Sequence, residues 1–216
     1  MKEVLAELKR GIRRFRTEVY PKNEETYIKA VSEPQTPHAL FITCADSRID
    51  PELITQSGTG DIFVTRNIGN LVPAYGEMLG GVSAVVEYAV MALKVQHVVI
   101  CGHSDCGAMK ALINPESLGE MPAVKNWMSN AAAAMSVAKS MAGADESPSE
   151  FIKRLTEENV LLQLQHLRTH PSVAGAMARE ELTISGWVYD IGKGEVRITE
   201  DGGRVFRPVR LEGESA

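Results

Sequence analysis

The sequence predicts an α/β protein: a mostly parallel central sheet flanked by helices, with an N-terminal helical arm over 1–33 and a C-terminal strand hairpin. Three observations predict it. Short apolar runs at 38–44, 61–67 and 96–101 are bounded by turn residues and have the length of buried strands. A dense apolar helical stretch, 77–93, joins the second run to the third through short connections, the mark of parallel pairing. Finally, LTISGWVYD (182–190) and EVRIT (195–199) alternate apolar and polar residues around Gly192-Lys193-Gly194, which reads as a closing hairpin.

The elements follow in order. In the arm, Val4, Leu5, Leu8, Ile12 and Phe15 recur at three- and four-residue steps, and Pro21 separates a first helix from a second over 23–32. The apolar stripe is narrow and the charges are many, so the arm is expected to lie on something else, either the rest of the chain or a second subunit. HALFITC (38–44) and DIFVTRN (61–67) are strands. In 77–93, Val82, Val85, Val86, Ala89, Val90 and Leu93 cover most of the circumference, which predicts burial on more than one side. QHVVIC (96–101) is the third strand, and GHSDCG opens a helix over 106–113. Residues 121–171 are helical with a break at GADESPS, the second part capped by Ser149 behind Pro148. The tail after Phe206 is expected to fray. With 216 residues and no linker or internal repeat, the chain reads as a single domain, 1–216.

Composition excludes several classes. Apolar residues are 44% and charged residues 24%, as in ordinary globular proteins and unlike disordered or fibrous ones. A net charge of −5 argues against nucleic acid and against an anionic membrane as partners, and no apolar stretch is long enough to span a bilayer. The basic run Lys9, Arg10, Arg13, Arg14, Arg16 is the solvated side of a helix. Three cysteines without a secretory leader predict reduced thiols and a cytoplasmic protein. Cys101 reads as a small core residue. His166 and His170 have metal-helix spacing, but no Glu follows the first, and His170 is expected instead to favour a helix C-terminus.

Reactive side chains collect at two strand ends. The run 38–44 exits into Cys44-Ala45-Asp46-Ser47-Arg48, and 96–101 exits into His103-Ser104-Asp105-Cys106-Gly107. In open α/β sheets, ligands bind beyond the carboxyl ends of strands, where strand order reverses. If both ends meet there, Cys44, Asp46, His103 and Cys106 converge. Two thiols, an imidazole and a carboxylate suit zinc better than calcium, magnesium or an iron–sulfur cluster. His-x-x-Cys alone fits a buried thiol beside an ordinary histidine; C-x-D-x-R at the matching strand end turns the balance toward zinc. A helix N-terminus biases Cys106 toward thiolate, and Gly102 and Gly107 are expected to allow tight turns around the ion. Asp46 has two alternatives, to bind the metal or to pair with Arg48 and leave the fourth position to water, whose pKa zinc lowers to about 7.

CADSRIDPELI (44–54), DIFVTRNIGNLVP (61–73), GGVSAVVEYAV (80–90) and VVICGHSDCGAM (98–109) together resemble the β-class carbonic anhydrases, most closely the bacterial enzymes that accompany cyanate degradation. The resemblance runs from the arm to GWVYDI (186–191). It implies one Zn2+ per chain on Cys44, His103 and Cys106, joined by Asp46 only in a closed form, with Asp46 and Arg48 as a gating dyad. It implies CO2 and bicarbonate as small-molecule substrates, with attack on CO2 by zinc-bound hydroxide. Gln35, Tyr88 and Gly107 match positions lining the substrate pocket, and Phe41 is expected to supply a wall. Arg66 and Tyr189 match two of three groups that hold regulatory bicarbonate in one subgroup. The third, a Trp, is here Phe41, which lacks the indole donor, so the open and unregulated form is expected. The resemblance further implies a homodimer or homotetramer with sites at subunit interfaces. Two alternatives stand beside CO2 hydration: hydrolysis of COS or CS2 at the same site, and a non-catalytic zinc-stabilised interaction module.

Overall fold

The computed structural model describes residues 2–76, 80–200 and 203–209. Its helices are α1 (Lys2–Arg14), α2 (Glu24–Ser32), α3 (Pro51–Thr55), α4 (Gly81–Met91), α5 (Gly107–Ile113), α6 (Pro122–Trp127), α7 (Ala132–Ser140), α8 (Pro148–Arg168) and α9 (Pro171–Ala178). The strands are β1 (Ala39–Cys44), β2 (Ile62–Asn67), β3 (His97–His103), β4 (Thr183–Asp190), β5 (Glu195–Glu200) and β6 (Arg207–Pro208). They form one sheet in the order β2-β1-β3-β4-β5-β6. The first four are parallel; β5 and β6 are antiparallel additions. The chain leaves β1 for β2 on one side and then crosses back to β3 on the other. The reversal of strand order therefore falls between β1 and β3, where a crevice opens at the carboxyl ends.

The pleat sorts the side chains. Leu40 and Ile42 of β1, Val98 and Ile100 of β3, and Ile184 and Val188 of β4 share one core with Val86, Ala89 and Val90 of α4 and with Val160, Leu164 and Leu167 of α8. Helix α8 lies so close that only glycine fits beneath it. A Cβ on Gly186 would stand 2.7 Å from Val160 Cγ1 and 3.0 Å from Leu164 Cδ1, and one on Gly102 would stand 2.9 Å from Val160 Cγ2. Gly102 thus serves helix–sheet packing and not a turn around an ion. At Gly107 an added Cβ meets open space, so no tight turn requires that glycine either. Gly186→Ala is expected to cost about 1–3 kcal/mol by overpacking. Differential scanning calorimetry should show a Tm lowered by roughly 3–10 °C.

Several elements differ from the sequence expectation. Helix α4 starts at Gly81; residues 77–79 lie outside the described residues. Its Val86, Ala89 and Val90 are buried, but Tyr88 and Met91 are about half exposed, so a single chain covers one side of it only. Ser147, not Ser149, caps α8: its hydroxyl accepts from the Glu150 N–H while the Glu150 carboxylate accepts from the Ser147 N–H, and Pro148 takes the first helical position. Helix α9 begins at Pro171 as a separate element. The tail does not fray directly after Phe206, because β6 pairs with β5; residues 210–216 lie outside the described residues. In the arm, Val4, Leu5, Leu8 and Ile12 are all more than half exposed. No helix among the described residues is long and apolar enough to cross a membrane.

The two histidines of 166–170 anchor the loop after β2. The His166 ring bonds the Val72 carbonyl at 2.8 Å, and His170 Nε2 donates to the Pro73 carbonyl at 3.0 Å with the Tyr75 ring packed against it. His170 is buried, and burial lowers its pKa, with His166 adding to the shift and the Pro73 carbonyl opposing it. It therefore holds a loop as a neutral ring, and does not act as a helix-terminal cation. The sign of the linkage follows: the unfolded chain takes up a proton near pH 6.5 that the folded chain refuses. The stability this ring contributes is present above that pH and is lost as pH falls toward the depressed folded value. Melting at pH 7.5 and 5.5 should show a smaller acid loss for His170→Gln than for the parent chain.

Candidate metal centre

Strands β1 and β3 end side by side. The register pairs Thr43 with Cys101, so Cys44 and His103 stand at neighbouring strand ends. After β1 the chain is held by Ala45 N–H to the Asn67 carbonyl at 2.8 Å and by Arg66 Nε to the Cys44 carbonyl at 3.1 Å. A second Arg66 donor takes the Asp46 carbonyl. After β3, the Ser104 N–H bonds the Tyr189 carbonyl at 2.8 Å, Asp105 turns the chain with φ +58°, and Cys106 stands at the N-cap of α5. Asp105 adopts the left-handed conformation, which Asp tolerates better than most residues.

This brings Cys44 Sγ, Cys106 Sγ and a His103 ring nitrogen within 4.8 Å of one another, the two sulfurs 4.0 Å apart, with all three residues buried. The His103 Nδ1–H donates to the Ser104 carbonyl at 2.8 Å, which leaves Nε2 as the bare nitrogen. Nε2 is buried without a hydrogen-bond partner among the described residues, a costly state unless something else engages its lone pair. An unpaired imidazole nitrogen beside two sulfurs fits a soft divalent metal with nitrogen and sulfur preference, zinc above all.

The electrostatics favour thiolate. Cys44 is held at about 4, first by its hydrogen bond with Cys106 and then by His103 and the backbone N–H groups of Gly69 and Asp46, all against the opposing effect of burial. Cys106 is pushed up by its hydrogen bond with Cys44, by burial and by the Cys44 charge, while the N–H groups of Met109 and Ala108 at the start of α5 act to lower it. The pair therefore carries one negative charge readily, and a cation between the sulfurs stabilises the second. Cys101, two residues before His103, is fully buried beside Phe41 and Val99, and burial lifts its pKa to about 12. It is a core residue, as expected.

Asp46 is drawn to Arg48. Arg48 Nε donates to Asp46 Oδ1 at 2.9 Å and Nη2 to Oδ2 at 2.8 Å, and the Arg48 backbone N–H adds a third bond at 3.0 Å. These bonds keep Asp46 ionised well below the usual carboxylate range. Its Oδ2 stays 4.0 Å from His103 Nε2, at the rim of the cluster. The pairing with Arg48, one of the two alternatives read from the sequence, is present in the single chain.

The remaining sequence-derived residues are spread out. Gly107 is the first residue of α5, directly after Cys106. Tyr88 is half exposed on α4, with its ring 6.1 Å from that of Phe63, and Gln35 is exposed between α2 and β1. Phe41 lies on the sheet face opposite Leu40 and Ile42. It packs with Val99 and Cys101 and meets Trp187 edge-on at 5.5 Å, so its ring belongs to a small buried cluster on that face. Arg66 spends donors on the Cys44 and Asp46 carbonyls, and Tyr189 is half-buried in the Phe41 cluster.

Sequence reasoning missed the support beneath the site. Gly69, at φ +75°, directs its N–H to Cys44, and its carbonyl accepts from Asn159 Nδ2 of α8 at 3.0 Å. Gln163 bonds Asn159 at 2.9 Å and accepts from the Val72 N–H at 2.8 Å. Thr156, Asn159 and Gln163 are buried on the α8 face that meets the sheet, and polar residues at those steps in an apolar stripe were the available signal. Asp105 and Lys110 were missed as well; both join the Arg48 network.

Comparison with known proteins agrees with this geometry. A family model described as carbonic anhydrase matches residues 39–196. The chain is 46% identical over 198 residues to the carbonic anhydrase of Pseudomonas aeruginosa, spanning 91% of this chain and 88% of that one. It is 44% identical over 209 residues to carbonic anhydrase 1 of Escherichia coli O157:H7, spanning 97% and 92%. Among solved structures, the β-carbonic anhydrase CcaA matches with a TM-score of 0.91 at 36% identity, over 97% of this chain and 94% of that one. A tetrameric β-carbonic anhydrase of Sordaria macrospora matches at 0.80 and 29%, over 93% and 98%. With family model, relatives and fold in agreement, the chain belongs to the β class of the carbonic anhydrase family.

Proposed function

We propose that the chain carries out reversible hydration of CO2 at a zinc ion held by Cys44, His103 and Cys106, with Asp46 and Arg48 controlling the fourth position. The observation that carries this is the buried, unpartnered His103 Nε2 within reach of two buried sulfurs. Zinc, when bound, supplies a Lewis acid that brings the pKa of a coordinated water to about 7. The protein does the rest. Ser104 fixes the imidazole tautomer through its carbonyl, and the α5 N-terminus and Gly69 direct N–H groups at the sulfurs, the kind of outer support that tunes metal affinity. Arg48 withdraws Asp46 from the metal and keeps it ionised, an acceptor at the edge of the reaction space.

CO2 is small and nearly apolar and needs few polar anchors. Gln35 supplies one amide donor to substrate, with Tyr88 and Gly107 around it. Both side chains are exposed in the single chain, which supports their reaching the site from a second copy. The uncovered arm and the half-covered α4 support the same association, as a homodimer or homotetramer. Pairing of Asp46 with Arg48, together with Phe41 in place of an indole donor, supports the open and unregulated form; Arg66 and Tyr189 then serve the loop and not a regulatory bicarbonate. Three unpaired thiols suit a reducing cytoplasm. Stopped-flow hydration on the full chain with measured zinc content tests the reading. One zinc per chain with chelator-sensitive CO2 hydration is expected; a zinc-replete chain without hydration contradicts it.

A further inference from the structure

Arg48 does not hold Asp46 alone. On its other edge, Nη1 donates to Asp105 Oδ2 at 2.8 Å, and Nη2 reaches the Asp105 backbone carbonyl at 3.3 Å. Lys110, on the first turn and a half of α5, takes the second carboxylate oxygen, Asp105 Oδ1. The order of charges is Lys110, Asp105, Arg48, Asp46, and each carboxylate is shared between two partners or paired with the guanidinium fork. This row runs between the two metal-ligand loops, because Asp105 lies between His103 and Cys106 while Asp46 follows Cys44.

The arrangement addresses a specific weakness. The Asp46 carboxylate is largely covered and held bidentately, but Arg48 is a long side chain with 45% of its surface exposed, so its outer edge needs a second anchor to fix the guanidinium plane. Without that anchor Asp46, whose Oδ2 is 4.0 Å from His103 Nε2, would be free to reach a metal held by Cys44, His103 and Cys106. A second carboxylate, fixed in place by its own lysine and by the left-handed turn at φ +58°, turns the pair into a network and fixes the plane of the guanidinium.

We propose that Asp105, steadied by Lys110, is a positioning residue that locks Arg48 onto Asp46 and thereby holds the fourth metal position open. This deepens the reading above and rests on it.

The test uses the full chain loaded with Co2+, with azide as the probe of the fourth position, read by visible absorption at pH 7.5. Asp105→Gly keeps the left-handed turn and removes both side-chain bonds; Asp105→Asn keeps the turn and one acceptor. We expect Asp105→Gly to raise the azide Kd about tenfold, with Asp105→Asn between it and the parent. In an Arg48→Ala background, adding Asp105→Gly should change nothing further, because Asp105 acts only through Arg48. A merely structural role would instead add its effect in both backgrounds. If Asp105→Gly loads no metal, the same comparison with Asp105→Asn decides. An unchanged Kd, or an effect that persists without Arg48, overturns the proposal while leaving the hydration reading intact. Should the parent bind one Co2+ and show no azide response, the fourth position is closed, and that reading and this proposal fall together.

Discussion

Cys106→Ser is expected to strip the site of its metal and to lower CO2 hydration by on the order of 10^3-fold or more. Cys106 is buried at the start of α5, where the N–H groups of Ala108 and Met109 support a thiolate. A serine hydroxyl offers a harder donor that does not ionise near neutral pH, so only two of the three candidate ligands, Cys44 and His103, remain. Metal analysis and stopped-flow assay on the same preparation should fall together. Cys101→Ser is the control: Cys101 is equally buried and only two residues from His103, yet it stands outside the metal-ligand group, so its replacement should keep one zinc per chain. Equal metal loss in both variants would show that burial of the thiol, and not ligation, matters.

The second large effect is expected from Arg48→Ala. Removing the guanidinium takes away two of the three Arg48 bonds to Asp46, keeps the backbone one, and leaves Asp105 with Lys110 alone. Asp46 then competes for the fourth metal position, and hydration at neutral pH should fall by about 10–100-fold with zinc content unchanged. Arg48→Lys keeps the charge but not the fork that engages Asp46 and Asp105 at once, so it should restore only part of the rate. A full rate with Ala at this position would show that Asp46 needs no restraint.

Much of this was legible in the sequence, for identifiable reasons. The runs 38–44 and 96–101 are short, apolar and bounded by turns, and both became central parallel strands because a sheet covered by helices accepts continuous apolar runs. Cys44, His103 and Cys106 were legible because reactive side chains at the carboxyl ends of such strands have a known place to meet. What escaped depends on contacts between distant segments. Asn159 and Gln163 look like ordinary polar residues on a long helix until the loop at 69–72 is laid against them. Gly102 resembles a turn residue until α8 is seen 2.9 Å from where its Cβ would stand. The apolar composition of 77–93 predicts burial on more than one side, whereas one chain supplies cover for one side only. A nearly apolar substrate makes Phe41 an expected wall, and strand alternation places it on the face opposite Leu40 and Ile42, in a cluster with Val99 and Cys101.

X-ray absorption at the zinc edge, on the full chain at pH 7.5 with metal content measured in parallel, tests the centre of this account most directly. One zinc per chain is expected, with two sulfur ligands at about 2.3 Å, one imidazole nitrogen at about 2.0 Å and a single light atom completing the shell, the last displaced by azide. Zinc well below one equivalent, or a shell that lacks either sulfur, would contradict it.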